Sequence, residues 1–226
     1  TLGLKRIVLH SASAASAVFA LVYAYITADY TWAYILLCYW LFLRALGEIV
    51  FHRYFSHGSF TTGKIRRVML AWLSILPGSG SILAWSVIHR HHHKFADTKR
   101  DVHSPKNSLM ESLNLIQFYP DAWFHNKDID HLHKDLMRDH TVQFNHKHYY
   151  TIWLVLALSL LVVSWKVLFL VVLPCVFCIT IMTGLTVNTG THLKLPGSYR
   201  NYDTPDNSYN NKWMGWLLLN ANAMHN

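Results

Sequence analysis

The chain has 226 residues, enough for one domain, and 52% of them are hydrophobic against only 14% charged, a balance too apolar for an ordinary soluble fold. Its formal charge of +8 could suit nucleic acid, but the basic residues are scattered and no nucleic-acid motif accompanies them, so no nucleic-acid partner is expected. Three cysteines, Cys38, Cys175 and Cys178, fall inside apolar runs; they read as lipid-facing or core sulfur rather than as a disulfide framework.

The first apolar block runs from Ile7 to about Gly47 and is interrupted at Ala28-Asp29-Tyr30, which divides it into two spans of about 20 residues, 7–27 and 31–47. Residues 65–88 are apolar as well, yet Pro77-Gly78-Ser79-Gly80 breaks them in half. A second block runs from about Tyr149 to Val187 with Ser164-Trp165-Lys166 in its middle. As one helix it would be roughly 58 Å long, against a bilayer core of about 30 Å. It reads instead as a second hairpin, 149–165 and 167–187, whose outgoing helix is kinked by Pro174 or has a carbonyl freed there.

Thirteen of the twenty lysines and arginines lie between Glu48 and Tyr150, two precede the first span and three come after the last. By the positive-inside rule the termini and the middle of the chain are cytoplasmic. Four spans satisfy that arrangement and a fifth would not, so 65–88 either enters and returns or lies along the interface as two short helices. The expected fold is all-α and integral to the membrane, multi-pass, with four transmembrane helices in two hairpins. A cytoplasmic, histidine-rich helical cap is made of 48–148 and 188–226, and the whole of 1–226 forms a single domain.

The histidines fall into place on that topology. His89, His92 and His93 in HRHHH are related by i, i+3 and i+4 and share one helical face, while His91 points elsewhere. His52 and His57 in FHRYFSHGSF are five apart, a poor spacing for one α-helical face, so the helix is expected to bend or end between them. His192 in NTGTHL comes after the second hairpin with Asn188 one turn before it, and His225 is the penultimate residue. Single histidines such as His146 read as surface or hydrogen-bonded residues. The grouped ones sit at the cytoplasmic helix ends with ligand spacing and point to a metal, for which imidazole alone leaves zinc, copper, nickel and iron open.

HRYFSH has the His-x4-His form, and HRHHH the His-x-x-His-His form, of the first two histidine boxes of membrane fatty-acyl desaturases. KFADTKRDVHSP resembles the stretch just after the second box, and NTGTHLKLPGSYRNYDTPDNSYNNKW resembles the segment before the third, in the delta-9 style and with a bacterial cast. This resemblance covers most of the chain from Gly47 onward. It implies that His52, His57, His89, His92, His93, His192 and His225 are ligands of two iron ions, and that Asn188 holds a water on one of them. It further implies that His225 opens a third box continuing past Asn226, so a sequence truncated at both ends is expected.

The implied reaction introduces a cis double bond into a saturated fatty-acyl chain with dioxygen and two electrons. Unactivated methylenes demand a strong oxidant, which two irons in a neutral imidazole shell could furnish. Glu48, Asp97, Asp101 and His103 are candidates to accept from the ligand rings, and Trp85 resembles a tryptophan of the acyl tunnel. Val87 and Ile88 stand where animal acyl-coenzyme-A enzymes carry an arginine and an acid. Their apolar side chains cannot hold nucleotide phosphates, which leans toward a membrane-lipid substrate with acyl-coenzyme A and acyl carrier protein still open. An electron donor such as a ferredoxin or a b-type cytochrome is implied, and the basic face would attract an acidic one. The alternatives are a fatty-acyl hydroxylase or alkane monooxygenase with similar boxes, and a metal-binding membrane transporter or sensor.

Overall fold

The computed structural model describes residues 2–114 and 131–217; His225 lies outside them. The helices are α1 (Leu2–Thr27), α2 (Thr31–Gly47), α3 (Lys64–Leu73), α4 (Ile82–Phe95), α5 (Leu109–Ser112) and α6 (Lys134–Met137). After them come α7 (His140–Val163), α8 (Trp165–Val167), α9 (Leu173–Thr183) and α10 (Lys212–Leu217). Two two-residue strands, β1 (Ser198–Tyr199) and β2 (Asn210–Asn211), pair antiparallel with Ser198 opposite Asn211. Three π-helical stretches, Glu48–Ser56, Leu168–Val172 and Gly184–Thr189, continue α2, α8 and α9.

Among the described residues, four helices are long and apolar enough to cross a membrane: Gly3–Thr27, Thr31–Ser56, His140–Val163 and Trp165–Thr189. Leu21, Tyr25 and Val162 on these helices are 73%, 86% and 88% exposed, and an apolar surface of that extent belongs against lipid rather than water. The third of them begins at His140, earlier than the apolar run suggests, because Asp139 caps it: its carboxylate accepts from the Thr141 and Val142 amides at 2.7 and 3.1 Å. Cys38 is exposed, Cys175 buried and Cys178 in between, and all three are free thiols.

The described residues fall into two compact units, one drawn from 2–89 and 131–179, the other from 90–114 and 180–217. In the first, the core joins Leu43, Val50 and Phe51 to Ala71, Ile82, Val87, Val142 and Cys175. Residues 65–88 are two short helices, α3 and α4, of 10 and 14 residues, too short to cross a bilayer core of about 30 Å. Gly78 turns the chain between them with φ +71°, and a Cβ there would come within 2.5 Å of the Val176 side chain, so both its conformation and its packing require glycine.

One face of α7 supplies what this break leaves unpaired. Asn145 donates to the Ala71 carbonyl at 3.0 Å and the Ser74 hydroxyl at 3.1 Å, and accepts from the Ile82 amide at 3.0 Å. Tyr149, one turn on, accepts from the Gly80 amide at 3.0 Å, and Trp153 donates to the Ile75 carbonyl at 2.8 Å. His146 meets the Ser81 hydroxyl at 2.6 Å. These groups satisfy orphan carbonyls and amides at the facing ends of α3 and α4, and they set where α4 starts. A second tie is Arg67 on α3, which donates to Asp139 and, at 3.2 Å, to the Tyr54 hydroxyl. Burial works against ionising Asp139, but the Val142 amide and Arg67 overcome it and hold its carboxyl below the ordinary range.

Pro174 frees a carbonyl rather than breaking the helix. In the π-helical register the Phe169 carbonyl would take an amide five residues on, which proline lacks. The Ser16 hydroxyl of α1 donates to that carbonyl at 2.7 Å instead.

In the second unit, α5 lies against the π-helical stretch Gly184–Thr189. Ser112 and Thr189 share a hydroxyl hydrogen bond of 2.9 Å, and Asn114 donates to the Thr180 carbonyl at 3.0 Å. The segment between β1 and β2 is held by Arg200, which donates to the Thr204 carbonyl at 2.7 Å, and by Asp206, which accepts from the Ser208 amide and hydroxyl at 3.1 and 2.6 Å.

Candidate metal centre

His52 and His57 share a face although the helix ends between them, at Ser56, as expected. The chain from Glu48 to Ser56 is π-helical, with the His57 amide bonded to the His52 carbonyl five residues back at 3.1 Å. A turn widened by one residue superposes i and i+5, so the two rings come to 4.7 Å centroid separation. The His89 ring on α4 lies 4.8 Å from His52 and 5.0 Å from His57. The ligating nitrogens of these three histidines are all within 4.8 Å of one another, and the His57 and His89 Nε2 atoms are 3.0 Å apart. Two nitrogens bound cis on an octahedral ion at about 2.1 Å would be about 3.0 Å apart, so the spacing fits a metal.

Glu48, one turn before His52, faces His52 Nδ1 at 2.8 Å and also accepts from Arg53 Nε at 3.4 Å. Trp85 stacks on the His89 ring at 4.7 Å and packs on Phe51 at 5.3 Å. Val87 and Ile88 are buried, 1% and 8% exposed, so neither reaches a charged headgroup.

In the second unit the His92 ring lies 5.0 Å from His192, 5.5 Å from His93 and 5.6 Å from His103. His92 Nδ1 faces Asp101 Oδ1 at 2.8 Å and His192 Nδ1 faces Asp97 Oδ2 at 2.9 Å, both pairs almost fully buried. The two carboxylates are themselves held. Asp101 accepts from the Asp97 and His103 amides, each at 2.8 Å. Asp97 accepts from the Ser104 hydroxyl at 2.8 Å and the Asn207 amide at 2.7 Å. Burial alone would raise both carboxyls, but the facing histidines and these donors outweigh it and hold both below the usual carboxylate range, Asp97 far below.

An ionised carboxylate can only accept, so facing one places a proton on Nδ1 of His52, His92 and His192 and leaves Nε2 as the ring atom a metal would take. That is the donor set a divalent metal needs. His103, whose ring lies 5.6 Å from that of His92, also has its Nδ1 3.3 Å from the Asn188 amide nitrogen. The same amide nitrogen approaches the Ser112 carbonyl at 3.1 Å and Asn114 Oδ1 at 3.3 Å, which fixes the Asn188 side chain. Ser104, Asn207 and the Arg200–Asp206 brace have no separable signal in a single sequence, since their role appears only when Asp97 meets His192, 95 residues on.

A helical membrane protein whose polar part gathers histidines in metal-ligand geometry is the class that this fold and site define. A profile of the fatty acid desaturase family matches residues 30–226. The chain is 31% identical to an sn-1 stearoyl-lipid 9-desaturase of Anabaena variabilis over 90% of its length, and 31% identical to one of Synechocystis over 78%. It is also 31% identical to a hex-5-enoyl-[acyl-carrier protein] acetylenase of Moorena producens over 47%. The matches span 74%, 54% and 36% of those relatives' own lengths. The chain belongs to the fatty acid desaturase family, membrane oxidoreductases that act on fatty-acyl chains.

Proposed function

We propose that the protein is a di-iron, oxygen-dependent acyl-lipid desaturase that places a cis double bond in a saturated chain in the delta-9 manner. The observation that carries this reading is the shared orientation of His52, His92 and His192, each with Nδ1 directed at a carboxylate so that Nε2 is left to a metal. His57, His89 and His93 are the further ligands among the described residues, and His225 is the further ligand outside them. When bound, two iron ions would supply the dioxygen chemistry that removes hydrogen from a methylene.

The chain's own residues do the positioning. Glu48, Asp97 and Asp101 hold the ligand rings against rotation, each through the Nδ1 that faces it. Asn188, its nitrogen occupied by Ser112, Asn114 and His103, offers Oδ1 to a water. Trp85, stacked on His89, forms a wall past which an acyl chain is guided so that one methylene is presented to the metal. The buried Val87 and Ile88, together with the stearoyl-lipid relatives, support a lipid-linked acyl group over a nucleotide carrier.

Expression in a desaturase-deficient cell, with lipid analysis of the product, should show a monounsaturated chain with its double bond at carbon nine of membrane-lipid acyl groups. A hydroxylated product in its place would assign the chain to hydroxylation. The lysine and arginine distribution further supports placing the polar segments and both ends on the cytoplasmic side, where an acidic electron donor would meet them. Cysteines introduced at Ser59 and Asn107 should therefore both be labelled from the cytoplasm; labelling from opposite sides would overturn this topology.

A further inference from the structure

We propose that the two histidine nests take up metal unequally, the one braced by Asp97 and Asp101 filling first and the one braced by Glu48 second. The proposal rests on reading the histidines as metal ligands and adds an order of loading to it.

Charge and burial set the order. In the second unit His92 and His192 each face a carboxylate, at 2.8 and 2.9 Å, and the side chains of these pairs are 5% or less exposed. Two carboxylates are buried together here, each directed at a ligand ring, so the nest gathers negative charge before any metal arrives. Arg200 of the 200–208 segment is turned to Asp206 at 3.8 Å. A divalent cation there neutralises the excess where the effective dielectric is low and the interaction strong.

In the first unit Glu48 and His52 are 20% and 21% exposed, and the same Glu48 oxygen is approached by Arg53 Nε at 3.4 Å. That carboxylate is already half-compensated by a guanidinium and partly screened by solvent, so a metal gains less from it. Preorganisation acts in the same direction. Asp97 and Asp101 are clamped by the Asn207, Asp97 and His103 amides and the Ser104 hydroxyl, so the second nest needs little further ordering around an ion.

The test is an anaerobic Co2+ titration of the full chain in detergent micelles after chelation, monitored by calorimetry and by the visible absorption of bound cobalt. Two steps separated by at least tenfold in affinity are expected. Asp101→Asn and Asp97→Asn should each weaken the tighter step, by about 10- to 100-fold, and leave the weaker one in place. Glu48→Gln should weaken only the later step. Elution profile and thermal unfolding of each metal-free variant separate misfolding from lost affinity. Uptake of two equivalents in a single step, or Asp101→Asn acting on the later step, would overturn the proposal while leaving the metal-centre reading intact. Absence of any Co2+ uptake by the unsubstituted chain would overturn both.

Discussion

His92→Ala is expected to abolish product formation and to lower the iron content of the purified protein, with activity falling by on the order of a hundredfold or more. The side chain is 4% exposed and makes two contributions that the methyl group of alanine cannot replace. Its Nε2 is lost as a ligand atom, and Asp101, whose side chain is fully buried, loses the hydrogen-bond donor at 2.8 Å that satisfies it. An ionised carboxylate left short of a partner in such a place costs about 1–3 kcal/mol or more. The four apolar helices do not depend on that pair, so the variant should still fractionate with membranes. Iron per chain, membrane fractionation and lipid analysis on one preparation check all three statements, and wild-type product levels with iron retained would remove His92 from the metal centre.

Gly184→Ala should be the most damaging single-methyl change. A Cβ at this position would sit 2.4 Å from both the carbonyl carbon and the oxygen of Leu113 and 2.7 Å from its Cα. Backbone cannot move aside as a flexible side-chain tip can, so α5 must lift from the π-helical stretch that carries Asn188. The Ser112–Thr189 and Asn114–Thr180 hydrogen bonds would stretch with it, and the Asn188 side chain would lose the carbonyl and amide that orient it. Overpacking of this kind costs about 2–3 kcal/mol, read as a thermal midpoint in detergent lowered by several degrees and as a drop in product. An unchanged midpoint would show that α5 does not bear on Gly184.

Much of the site is legible in the sequence. His89, His92 and His93 lie at α-helical spacing, and the aspartates that brace the second nest stand within the same short stretch, KFADTKRDVHSP. The local rule fails at His52 and His57, where five residues look like two different faces. Only a π-helical turn, unfavourable in isolation and held by packing of Val50, Phe51, Tyr54 and Phe55 in the core, brings them together. Glu48 belongs to the same turn and becomes a partner of His52 through it. His103 shows another limit: Asn188, which its Nδ1 meets at 3.3 Å, comes from 85 residues away, and no local pattern announces it.

By itself the sequence determined the class of fold and the chemical character of the site. Apolar length sets how many helices can span, because the bilayer core has a fixed thickness. The glycine-proline break sets that α3 and α4 stay short, because neither can carry an unbroken hydrogen-bond ladder across Pro77 to Gly80. Tertiary structure alone decided which polar groups meet. Asn145 reaches Ala71 across 74 residues, and Asp97 reaches His192 across 95. Such pairings have no period in the chain: they arise from burying a helix end or a charge that must then be satisfied, and any of several asparagines, serines or acids in the sequence has the chemistry to do it until packing selects one.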